Sequence, residues 1–122
     1  MIVRGEVARL ADCLFCKIAQ KEISSQVVYE DDRVFAFKDI NPQAPSHVLV
    51  IPRKHIPSLT EMQGTDYDLI ADVFAAVNRI AKEMNLEDGF RMVANCGSDG
   101  GQVVDHIHFH VLGGRKLDWP PG

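Results

Sequence analysis

The stretch Asp105-His106-Ile107-His108-Phe109-His110-Val111-Leu112 alternates strictly between polar and apolar side chains. Successive residues of a strand face opposite sides, so the pattern predicts a half-buried strand over Ile107–Leu112. Ile107, Phe109 and Val111 turn toward a core. His106, His108 and His110 then share the other face, roughly 6.6 Å apart at ~3.3 Å per residue. Imidazoles repeated at this period have no packing rationale. They read as a working surface on one edge of the strand, for an anion, a metal or both.

Such a strand needs a layer to pack on, and the sequence supplies one. Leu69, Ile70, Val73, Phe74, Val77, Ile80, Ala81 and Met84 recur at helical spacing, predicting an amphipathic helix from Asp66 to Met84. Thr65 with Asp68 resembles a capping box at its start. A shorter helix is expected over Leu14 to Gln20. Further strands are expected at Val27–Tyr29, Val34–Phe37, Val48–Ile51 and Arg91–Ala94. Asp31-Asp32, Asn41-Pro42 and Ser98-Asp99-Gly100-Gly101 supply turns between them. The result is an α+β fold: an antiparallel sheet of about five strands with the long helix on one face and the other face open to function.

At 122 residues the chain builds one domain, read as residues 12–122 behind an N-terminal arm of residues 1–11. A net charge of −4 without a basic run argues against nucleic-acid binding. Arg4, Glu6 and Arg9 break any apolar leader, and no stretch approaches the ~20 apolar residues of a membrane span. Three cysteines do not make a secreted disulfide framework, so a cytoplasmic location is expected.

Asn95-Cys96-Gly97-Ser98-Asp99-Gly100-Gly101-Gln102 runs into the histidine strand. Its glycines let backbone N–H groups approach a ligand closely, as a phosphate nest or a plain hairpin turn would. His47 opens another strand, either as a polar start residue or as a fourth member of the histidine group.

His106-Ile107-His108-Phe109-His110-Val111-Leu112 matches the pattern of the histidine triad (HIT) family. The resemblance extends over Asp39-Ile40, Pro45-Ser46-His47-Val48-Leu49-Val50-Ile51-Pro52, Gly100-Gly101-Gln102, Gly113-Gly114-Arg115 and Trp119-Pro120-Pro121-Gly122. These endings resemble the histidine triad nucleotide-binding branch rather than the diadenosine-polyphosphate hydrolases. The resemblance implies hydrolysis of purine nucleoside 5′-phosphoramidates (AMP- or GMP-like) through a covalent nucleotidyl-histidine, with no magnesium required. His108 would attack, His110 and His47 would hold the phosphate oxygens, and Asp39 would take the ribose. Phe15, Ile18, Phe37, Ile40 and Leu49 would line the purine pocket, while Asn95, Gly101 and Gln102 would place the phosphate. It also implies a homodimer that extends the sheet, joined through the long helix and a strand after Asn95, with Trp119 reaching the partner's site. Dinucleoside polyphosphate hydrolysis and a nucleotide-binding interaction module with negligible turnover are the alternatives.

The chain departs from the branch at two positions. Val103 stands where relatives carry a Ser or Thr that helps the leaving group, and Asp105 puts a carboxylate near His106. Finally, Cys13-Leu14-Phe15-Cys16 is a C-x-x-C pair. Some bacterial relatives with this pair bind zinc in this way, and the resemblance implies a structural site of Cys13, Cys16, His55 and His106. Two buried apolar cysteines beside a solvated His55 are the plainer reading.

Overall fold

The computed structural model describes residues 11–122; the expected arm lies outside the described residues except for Ala11, which stands in an exposed turn. The elements run α1 (Leu14–Ala19), β1 (Val27–Glu30), β2 (Val34–Lys38), β3 (Ser46–Pro52), α2 (Asp66–Glu83), β4 (Phe90–Val93) and β5 (Phe109–Gly113). The strands form one five-stranded sheet in the order β1-β2-β3-β5-β4, antiparallel throughout. Every expected element is present, with ends moved by one or two residues. No helix among the described residues is long and apolar enough to cross a membrane.

Two apolar layers explain why β2 and β3 carry continuous rather than alternating hydrophobicity. Val34, Ala36, Val48, Val50, Phe109 and Val111 pack beneath α2 with its Leu69, Val73, Val77 and Ile80. Phe35, Phe37, Leu49 and Ile51 turn the other way and pack with Phe15, Cys16, Ile18 and Ala19 of α1. Strands covered on both faces lose the alternation of a half-solvated sheet. The second face is therefore not left open along its length, as the sequence suggests: α1 covers one end of it. Arg53 fastens that helix, donating from one guanidinium nitrogen to the Ala19 carbonyl at 2.8 Å and from Nε to the Asp31 carbonyl at 2.7 Å.

Local chemistry sets the ends of the elements. Asp31 accepts from the backbone N–H groups of Arg33 and Val34, both at 2.8 Å, closing the turn between β1 and β2. The expected capping box at α2 does not form, since Thr65 makes no side-chain cap bond. Asp66 replaces it: one carboxylate oxygen accepts from Gln63 N–H at 2.9 Å and the other from Lys54 Nζ at 2.6 Å. These bonds, the lysine's foremost, hold the buried Asp66 carboxyl below its ordinary range.

Candidate active site and metal centre

The histidine segment is not a single exposed strand edge. β5 begins only at Phe109 and lies between β3 and β4, inside the sheet. His106 and His108 precede it in irregular backbone, tied in place where the Ile107 N–H donates to the Ile56 carbonyl at 2.8 Å. Ile107, Phe109 and Val111 do enter the α2 layer. His106 is wholly buried, His108 nearly so and His110 half-buried. A strictly alternating sequence marks a side chain's face, but not whether the next layer covers it. Here Phe15 of α1 supplies the cover, its ring edge-on to His108 at 5.1 Å between centroids and 6.1 Å from His106.

Hydrogen bonding assigns the proton on each imidazole. His108 Nδ1 lies 2.7 Å from the His106 carbonyl, which can only accept, so Nδ1 carries the proton and Nε2 keeps its lone pair. His47 Nδ1 accepts from Gln43 N–H at 3.0 Å, which puts the His47 proton on Nε2. That proton is donated to His110 Nδ1 at 2.9 Å, so His110 in turn carries its proton on Nε2. An Asp39 carboxylate oxygen stands 3.5 Å from His47 Nε2, and its other oxygen accepts from Asn41 N–H at 2.8 Å. Burial, with the neighbouring His108 and His47, holds His110 below the ordinary imidazole value. The outcome is a nucleophilic nitrogen on His108 and an N–H donor on His110, with the two rings 5.2 Å apart.

The remaining residues expected at this site divide. Phe15, Ile18, Phe37 and Leu49 form one apolar cluster, whereas Ile40 is 100% exposed and joins no wall in the described chain. Asn95 is half-buried in the irregular segment that follows β4, and the next strand after it is β5. Gln102 organises the glycine turn: its Oε1 accepts from Gly97 N–H at 2.9 Å while Nε2 donates to the Pro57 and Val104 carbonyls. Gly101 adopts φ +79, a conformation that favours glycine, and donates its N–H to the Ser98 carbonyl. At Gly100 a Cβ would meet the Cys96 carbonyl oxygen, so only glycine fits that turn. The sequence does not mark Gln43 or Pro52, because both act through backbone atoms.

The second cluster lies at the covered end. Ligand atoms of Cys13, Cys16, His55 and His106 are all within 4.8 Å of one another. His106 donates from Nε2 to the Pro52 carbonyl at 2.8 Å, which leaves the Nδ1 lone pair facing Cys13 Sγ at 3.4 Å and Cys16 Sγ at 3.6 Å. His55 Nδ1 lies 3.4 Å from Cys16 Sγ. A tetrahedron of ~2.0–2.3 Å metal–ligand bonds has edges of roughly 3.3–3.8 Å, so these separations fit zinc. The donors fit as well, with paired sulphurs and with imidazoles kept neutral by burial: His55 is lowered and His106 is pushed down to about 4. Asp105 is exposed, and its charge acts on His55, favouring the protonated ring, rather than on His106. Val103, 89% exposed, lines a cavity of about 360 Å³ together with Asp12, Cys13, Leu14, His55, Val104 and Asp105.

Residues 20–117 match the HIT domain family. A 14 kDa zinc-binding protein of Zea mays is 47% identical over 111 residues, spanning 89% of this chain and 87% of the relative. The crystal structure of a HIT family hydrolase from Legionella pneumophila superposes with a TM-score of 0.89 at 50% identity, covering 91% of this chain and all of that one. A histidine triad protein from Clostridium difficile superposes with a TM-score of 0.88 at 51% identity, over 90% of this chain and 96% of its own. With residues 20–117 matched, all five strands and α2 among them, this chain belongs to the HIT domain family.

Proposed function

We propose that the protein is a nucleotide hydrolase that cleaves purine nucleoside 5′-phosphoramidates through a nucleotidyl-His108 intermediate. The observation that carries this reading is the pairing of proton states: His108 Nε2 bears a lone pair where the adjacent His110 bears an N–H. His108 Nε2 attacks the α-phosphorus, forming a P–N bond as the bond to the amine breaks, and the amine departs with a proton taken from water. Water then attacks the same phosphorus, releasing the nucleoside monophosphate and restoring the neutral imidazole. Splitting the displacement in this way replaces one difficult transfer with two easier ones.

His110 Nε2–H donates to a phosphoryl oxygen, and His47 backs it through the 2.9 Å bond to His110 Nδ1. Fixed donors of this kind stabilise the charge that a phosphoryl transition state spreads over its oxygens. Asp39, at the rim of this cluster, takes the ribose hydroxyls. The apolar wall of Phe15, Ile18, Phe37 and Leu49 receives the purine. Zinc held by Cys13, Cys16, His55 and His106 would supply a structural cross-link, with every coordination position filled by protein. Cys13, Cys16 and Cys96 form no disulfide, which suits a reducing, cytoplasmic setting.

The working form is a homodimer. Tyr67 and Phe74 of α2 stand 62% and 52% exposed, and β4 is a sheet edge whose first residue, Phe90, is 38% exposed. An edge of this kind is a template for a second strand.

Mixing the protein with an AMP-amine substrate and quenching it is expected to leave an AMP-sized adduct on the peptide containing His108. His108→Ala is expected to lose the adduct and at least about 10³-fold in rate while still binding AMP. Unchanged turnover in that variant would reject the hydrolase reading, and an adduct formed only with dinucleoside polyphosphates would move the substrate class.

A further inference from the structure

The segment Cys13-Leu14-Phe15-Cys16 performs two tasks in one turn of helix. Its sulphurs approach His106 Nδ1 at 3.4 and 3.6 Å, and Phe15, one of the two residues between them, lays its ring edge against His108. His106 meanwhile is held at several atoms: Nε2 to the Pro52 carbonyl at 2.8 Å, its N–H to the Val104 carbonyl at 2.9 Å, and its own carbonyl to His108 Nδ1 at 2.7 Å. A free neutral imidazole exchanges its proton between both nitrogens, so the His106 carbonyl decides which nitrogen of His108 is nucleophilic. The cysteines lie ahead of the residues matched to the family, 20–117.

We propose that His106 is a positioning residue through which metal binding at the cysteine cluster fixes the tautomer of His108. With a metal shared by Cys13, Cys16, His55 and His106, the His106 ring would be held at Nδ1 by the metal and at Nε2 by the Pro52 carbonyl, keeping its own carbonyl aimed at His108 Nδ1. The same metal anchors Phe15, which closes the other side of the His108 ring. Without it the His106 ring keeps its Nε2 bond to Pro52 but has only weak thiol contacts at Nδ1, α1 is attached to the sheet by apolar packing and Arg53, and His108 populates both tautomers. This rests on the reading of His108 as the nucleophile, but its test does not depend on turnover.

The experiment is long-range ¹H–¹⁵N correlation of the histidine rings in zinc-loaded and chelator-stripped protein at a single pH. The loaded protein is expected to show His108 as one tautomer, protonated at Nδ1. Stripping is expected to draw its two nitrogen shifts toward each other, and added zinc to restore them. Since stripping can unfold the segment, zinc titration into His55→Ala gives a second arm. That variant keeps both sulphurs and His106, and its His108 shifts are expected to follow bound zinc. Shifts that stay fixed while zinc binds, in either protein, overturn the proposal and leave the hydrolase reading untouched. Adduct formation on an AMP-amine is expected to slow about tenfold or more in the stripped, folded protein, comparable to the loss seen when partners that orient a metal-site histidine are removed. A loaded protein with the single tautomer but no adduct would instead count against the hydrolase reading alone.

Discussion

Two imidazole clusters flank His108 on one side of the sheet, and they differ in what ties each ring. At the covered end, His106 and His55 turn lone pairs toward sulphur beneath α1, and His106 is fully buried. At the other end, His47 and His110 turn toward each other and toward the Asp39 carboxylate, with His110 half-exposed. The difference teaches that residue type alone does not set a histidine's task. The first cluster gathers soft donors, each offering a lone pair, and suits a cation. The second passes a proton along N–H to N and ends in an N–H donor, which suits an anion. His108 sits between them, taking its orientation from the first and its neighbour from the second.

The sharpest way to break this division is to remove the sulphurs. Cys13→Ser with Cys16→Ser is expected to abolish zinc binding and lower the melting temperature by at least about 10 °C, because metal affinity in such a site is folding free energy. Wild-type protein purified without chelator is expected to hold one zinc per chain by elemental analysis. Zinc well below that, or a double variant that melts with the wild type, would make the cluster an ordinary apolar contact.

The second test strikes the opposite end. His47→Ala removes the acceptor for Gln43 N–H and the donor to His110 Nδ1. It is expected to cut the hydrolysis rate about 10²-fold, as loss of one preorganised donor relay does, while zinc content stays at one per chain. If zinc content falls together with the rate, the two clusters are one unit and the contrast fails.

The sequence carries most of this arrangement, but unevenly. The C-x-x-C pair marked Cys13 and Cys16 as soft donors, and the family resemblance joined them to His55 and His106. The periodicities of α2 and the strands were legible because each buries one continuous face. What stayed hidden depends on layers that are not adjacent in sequence. Whether His106 is solvated or buried is decided by Phe15, some ninety positions away. That β5 is interior is decided by its pairing with both β3 and β4. Pro52 and Gln43 fix two imidazoles through backbone atoms, so no side-chain pattern could announce them. Thr65 had the right chemistry for a cap, and Asp66, bound to Lys54, took the role.

Acidity separates the clusters more gently. His110 is held below its ordinary value of 6.5, so the unfolded chain takes up a proton before the folded one does. Stability in this range is therefore present above about pH 6.5 and is lost as pH falls below it. Glu30, Asp31 and Asp66 are also lowered, but they act only in the carboxylate range further down. Zinc-loaded His110→Gln is expected to show a shallower loss of stability between about pH 7 and pH 5 than the zinc-loaded wild type. Equal slopes would mean that the anion end is fully solvated.

The smallest expected effect is at Val103. Its side chain is 89% exposed and lines the cavity beside Cys13 and His55, on the metal side of His108. Replacing an exposed valine changes stability by less than about 0.5 kcal/mol, so Val103→Ser should not move the melting temperature measurably. A serine there adds a hydroxyl that can donate to a departing amine or accept from it, which valine cannot do. Turnover of an AMP-amine is expected to rise a few-fold, with adduct formation rather than hydrolysis of the adduct accelerated, because only the first step has an amine to release. An unchanged first step would remove the metal-side cavity from the reaction and leave it to the cysteine cluster alone.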